Sequence, residues 1–135
     1  MTRSGYTDDC DDPLERGRWR AQVNSAIRGK RGQLFLRELA TAMDAMPEKV
    51  LIADQLINED GDCCAIGVFC KSRGLDVSTI DYNDPEEVGN AVGIARQMAA
   101  EIEYENDELW RWGCNESPKE RWVRIRKWVE SKLAK

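Results

Sequence analysis

The sequence predicts a mainly α protein: about five helices in one compact domain, with a small β-hairpin near residues 50–65. Three observations carry this. Apolar residues recur at three- and four-residue spacing through most of the chain. Helix start and stop signals bracket those stretches at short intervals. Strand-prone residues are concentrated in one stretch, beginning at Lys49-Val50-Leu51-Ile52. A chain of 135 residues, 41% hydrophobic and 33% charged, is long enough to bury a core without disulfide or metal staples. Residues 13–135 are expected to form that domain, and the acidic residues 1–12 a loosely ordered N-terminus.

Asp12-Pro13 reads as the first helix start, with Asp as cap and Pro at the first helical position. Trp19, Val23, Ala26 and Ile27 follow at helical spacing, and Gly29 and Gly32 read as the stop. A second helix is predicted over about residues 33–45. Phe35, Leu39, Met43 and Met46 form its stripe, and Pro47 ends it. Leu56 to Glu59 can pair with Asp62 to Ala65 across Asp60-Gly61, a favoured two-residue hairpin loop. A short helix runs from about Cys64 to Ser72 and stops at Arg73-Gly74. Asp84-Pro85-Glu86-Glu87 opens the next. Val88, Ala91, Val92, Ala95, Met98, Ala99 and Ile102 predict that it continues unbroken to an acidic end. Trp110 to Gly113 reads as a loop or short helix. Ser117-Pro118-Lys119-Glu120 is a capping box that opens the last helix, with Trp122, Ile125, Val129 and Leu133 as its apolar face.

Charge is unevenly placed. The net charge is −5, yet residues 14–37 carry +6, residues 38–116 carry −13 and residues 117–135 carry +5. A basic region near each end flanks an acidic middle, so the two signs either meet within the fold or face partners. The five cysteines, Cys10, Cys63, Cys64, Cys70 and Cys114, are an odd set without a Cys-x-x-Cys pair. Reduced thiols in a cytoplasmic protein, several acting as small core hydrophobes, are the expectation. No apolar run is long enough for a membrane span, and no membrane partner is expected.

Recognisable catalytic chemistry is sparse. The chain has no histidine, so the commonest general base and metal ligand is missing. Gly29-Lys30 fails as a phosphate loop, because Asn24 and Arg31 stand where Gly and Ser or Thr are needed. Asn58 to Asp62 fails as a calcium loop, with Leu56 and Gly67 at ligand positions. No cofactor, metal site or catalytic residue is assigned. An enzyme would require carboxylates such as Asp54, Asp62 and Glu101 to converge in a pocket.

Two binding surfaces remain. The first is a protein interface made of Glu101, Glu103, Glu105, Asp107 and Glu108 with Trp110 and Trp112. There, carboxylates would imitate nucleic-acid phosphates and the Trp-Arg-Trp triplet would anchor a partner. It suits a non-enzymatic accessory protein that binds, and inhibits, a host enzyme or defence complex. The second is a nucleic-acid contact through Arg16, Arg18, Arg20, Arg28, Lys30 and Arg31, in the outline of a helix-turn-helix. A homo-oligomer is compatible with either.

Several segments also resemble small proteins of tailed bacteriophages and prophages. They are Arg18-Trp19-Arg20, Ser25 through Gln33, Cys64-Ala65-Ile66-Gly67, Gly93-Ile94-Ala95-Arg96, Glu103 through Asp107, and Glu120-Arg121-Trp122. The resemblance covers about Arg16 to Val129. It implies a phage setting and the cytoplasm of a bacterial host, but no particular activity; in that setting a host or phage protein is the partner expected of the first surface.

Overall fold

Helix α1 spans Pro13–Arg28 and α2 spans Lys30–Asp44, with Gly29 alone between them. They belong to a computed structural model that describes residues 13–108 and 116–134. The remaining helices are α3 (Ala65–Arg73), α4 (Pro85–Val92), α5 (Arg96–Glu103) and α6 (Pro118–Lys132). A π-helical turn, Tyr104–Glu108, extends α5. The protein is mainly α and forms one domain around a single hydrophobic core.

Helix α2 is central. It packs against α1, α3 and α6, and α5 closes the other side against α1, α3 and α4. Its stripe of Phe35, Leu36, Leu39, Ala40 and Met43 is buried. Each large side chain there contributes about 1.5–3 kcal/mol by leaving water. Phe35 meets Phe69 of α3 with ring centroids 4.4 Å apart. Helix α6 runs antiparallel to α2: Arg126 reaches Asp44 at one end, and Gln33 bonds the Lys132 carbonyl and the Ala134 amide at the other. Trp19, Trp122 and Trp128 pack on the core edge, as their helical positions predict.

The junction of α1 and α2 is tighter than the sequence suggests. Gly29 and Gly32 read as a stop before a helix at Gln33, but Lys30, Arg31 and Gly32 already form the first turn of α2. A Cβ on Gly32 would lie 2.1 Å from the Ala26 carbonyl oxygen, so glycine is what lets this turn close against the end of α1. Gln33, also buried, donates to the Ile27 carbonyl at 2.8 Å and satisfies an open acceptor at the α1 terminus.

Two further expectations are corrected. The stripe from Val88 to Ile102 is not one helix. Gly93 takes a left-handed φ of 82° and ends α4, and α5 restarts after Ala95. Ile94 stays buried through this break, so the apolar pattern continues although the helix does not. The hairpin shrinks to one antiparallel bridge, Ile57 with Cys63. The Asp60-Gly61 turn is present, closed by the Asn58 side chain, which accepts from the Asp60 and Asp62 amides. Residues 49–52 form no strand, because the Leu51 amide bonds the Pro118 carbonyl at 3.0 Å instead of a sheet partner.

Local signals held elsewhere. Asp84 caps α4, Ser117 and Glu120 form the capping box of α6, and Gly74 closes α3. Cys63, Cys64 and Cys70 are free, buried thiols within the core. Burial pushes each thiol up from its ordinary value, Cys70 to about 11, which suppresses the reactive thiolate.

Candidate polyanion-binding surface

The acidic run that reads as an exposed interface is largely an interior feature. Glu101 and Glu103 are each only 2% exposed, and Glu105 and Asp107 are half-buried. Glu108 belongs to the π-helical turn, and Trp110 and Trp112 lie outside the described residues. The physical reason is charge pairing across the fold. Arg20 of α1 donates to Glu101 at 2.7 Å. Arg124 of α6 forks onto both Glu116 oxygens at 2.6 and 2.9 Å, and its third nitrogen donates to the Glu105 carbonyl at 2.6 Å. Arg121 donates to the Asn106 and Leu51 carbonyls. A π-helical turn leaves backbone carbonyls without regular helical partners, and these two arginines supply donors to them.

Asn106, 2% exposed, ties the turn to the rest of the core. Its amide oxygen accepts from the Ala65 amide at the start of α3, and its nitrogen donates to the Ile52 carbonyl at 2.9 Å. Asp107 accepts from Asn106 and from the Tyr82 hydroxyl. Burial, then the neighbouring Glu101 charge, raise the Glu105 carboxyl above its ordinary value, against the pull of Arg124, Lys132 and Arg20. Within the described residues, Glu101, Glu105 and Asn106 therefore tie α5 to α1 and the π-helical turn to α6.

The basic candidates divide in two. Arg20 is engaged by Glu101. Arg16 and Arg18 are exposed but lie 10–12 residues before Arg28, about 15–18 Å along α1 and turned away from it by roughly 80–120°. Arg28, Lys30 and Arg31 converge at the junction, and all three are exposed. Arg37, one to two turns further along α2, is exposed as well. Among the described residues these four side chains have no acidic partner.

Their placement opposes the local electrostatics. The first turn of α2 contains no acidic residue and its Gly29 cap offers no side chain to the free amides. Lys30 and Arg31 therefore sit at the positive end of a helix dipole, beside the cation of Arg28. Free backbone amides, a positive dipole end and clustered cations all attract an anion. Two features weaken the helix-turn-helix outline. The connection is one residue instead of three or four, and the outer face of α2 offers Arg31, Leu34, Arg37 and Thr41, a poor set for reading bases.

Arg37 stands apart from the basic cluster in the sequence, but its seven-residue offset from Lys30 places both on one face of α2. The enzyme reading gains no convergence. Of Asp54, Asp62 and Glu101, only Asp62 lines the groove between α2 and α3, and Glu101 lies under Arg20. Among the described residues no group of three Cys, Asp or Glu side chains is arranged to hold a metal ion, and no helix is long and apolar enough to cross a membrane. Comparison with protein-family models, with curated proteins and with solved structures finds no match.

Proposed function

We propose that this is a non-enzymatic binding protein, in the phage setting suggested by the sequence resemblance, that grips a nucleic-acid phosphate backbone at the α1–α2 junction. One observation carries the reading: Arg28, Lys30, Arg31 and Arg37 are exposed and lack acidic partners among the described residues, and Lys30 and Arg31 stand at the positive end of α2, with Arg28 just before its Gly29 cap and Arg37 two turns along the same face. Proteins accept such a local penalty where a ligand relieves it. The contact is to backbone and independent of sequence, because α2 presents cations and few base-reading groups.

The experiment is fluorescence anisotropy with a labelled 20-base-pair duplex across a salt series. Three to four phosphate contacts predict that log K falls against log salt with a slope of roughly −3 to −4. R28E/K30E/R31E is expected to abolish binding, and K119E, on an exposed residue of α6, to leave it nearly unchanged. Binding that ignores the triple substitution, or a slope near zero, would overturn the reading. A host or phage protein partner is the second reading. The acidic run no longer favours it, since Glu101 and Glu103 are buried.

A further inference from the structure

A groove of about 480 Å³ lies at the opposite end of α2 from the basic junction. It opens between the C-terminal end of α2, helix α3 and the Asp60-Gly61 turn. Ala42, Met46, Val50 and Val68 give it an apolar lining. Three carboxylates, Glu48, Asp60 and Asp62, stand around that lining, and among the described residues none has an ion pair. Lys71 is the one cation of the lining, and it donates to the Gly61 carbonyl at 3.2 Å. Lys49 caps the end of α2 by donating to the Asp44 and Met46 carbonyls, so the negative character of the groove comes from its three carboxylates. The groove therefore suits an apolar side chain flanked by cations.

The chain itself carries such a group. Leu34 of α2 is 52% exposed. Arg31 and Arg37 lie one turn to either side of it, and Lys30 shares its face; Glu38, on the same face, is taken up by Arg73. The other exposed large hydrophobics match less well. Leu75 adjoins Asp76, Leu14 adjoins Glu15, and Val123 shares its face with Glu120 as well as with Lys119 and Lys127.

We propose that the groove receives the Leu34 surface of a second copy of this chain, so that molecules join head to tail. Leu34 fills the apolar floor, and Arg31 and Arg37 meet Asp60, Asp62 and Glu48. Because the two surfaces differ, the contact is heterologous, and each added copy leaves one groove and one Leu34 surface open. The contact is small, so association is weak and concentration-dependent. It shares cations with the polyanion surface without resting on that reading, and a bound polyanion competes with it.

Sedimentation velocity over a concentration series tests this. The wild-type chain is expected to gain average mass with concentration and to lose that gain in high salt. Leu34→Asp spoils one surface and leaves the groove, while D60K/D62K reverses the groove rim and leaves Leu34. Each variant alone is expected to stay monomeric, and an equimolar mixture to stop at a dimer, because its two ends are blocked. A wild-type chain that stays monomeric throughout, or a mixture that does not pair, overturns the assignment. So does a monomer whose groove takes only an unrelated Arg-Leu-Arg peptide. D60K/D62K should still bind the labelled duplex, so the two readings fail separately.

Discussion

The two basic regions of this chain carry similar charge and use it in opposite ways. In residues 117–135, Arg121, Arg124 and Arg126 turn inward or across to neighbouring elements, meeting Glu116, Glu105 and Asp44. In residues 14–37, Arg20 does the same with Glu101, but Arg28, Lys30, Arg31 and Arg37 remain exposed. The difference is positional. Arg121 and Arg124 face a π-helical turn with carboxylates and backbone carbonyls to bond, and Arg126 faces Asp44 of α2, so their charge is met by folding. At the junction, Lys30 and Arg31 stand where the backbone of α2 is positive, and Arg28 and Arg37 add cations on either side without an acidic partner among the described residues, so folding concentrates their charge. Basic side chains are thus structural where the fold provides their counter-charge, and available for binding where it does not.

Breaking the inward set should cost most. Arg124→Ala leaves Glu116, whose side chain is 9% exposed, without its forked donor, and removes the donor that Arg124 gives the Glu105 carbonyl. Loss of one partner from a buried pair costs about 3–5 kcal/mol. Urea unfolding should show a reduced midpoint, and an unchanged midpoint would mean that the α6 arginines are not structural. Asn106→Ala comes next. It orphans the Ala65 amide and the Ile52 carbonyl, at about 1–3 kcal/mol for each buried group left unsatisfied. Both variants should bind the duplex normally under conditions where they are folded.

Acid titration sharpens the same contrast. The folded Glu105 carboxyl sits above its ordinary value, so the native state holds that proton longer than the unfolded chain. Stability from this group is complete below about pH 4.5 and declines as pH rises through the folded value. Asp44, held low chiefly by its hydrogen bond to Arg126, acts in reverse: its contribution is present above about pH 3.8 and lost as pH falls through the folded value. Glu105→Gln should therefore flatten the decline in stability above about pH 4.5, measured by thermal melts. A profile identical to wild type would show that Glu105 is not strained by its burial.

Much of the fold is legible because its signals are local. The Ser117 capping box, the Asp84-Pro85 start and the Gly74 stop each act within four residues, and each marks its helix end. What the sequence conceals acts at long range. Glu101 looks like part of a solvated acidic run, but its partner Arg20 is 81 residues away. The π-helical turn takes its donors from Arg121 and Arg124, 15 and 19 residues later. The break at Gly93 is masked because Val92 and Ala95 keep the apolar spacing on either side of it while Gly93 takes a left-handed φ. Of the candidate surfaces, the basic junction was visible as a cluster of residue types. That Lys30 and Arg31 begin a helix, and so oppose its dipole, depends on the close approach that Gly32 permits.

The most direct test of the account measures stability and binding together in K30E/R31E. Acidic side chains belong at the first turn of a helix, so relieving the junction should raise the melting temperature, on the order of 2–4 °C. The same substitution should remove duplex binding at low salt. A variant that melts higher and no longer binds is the predicted result: cations held at a cost to the fold for the sake of an anionic ligand. A variant that melts lower, or that binds as the wild type does, would contradict it.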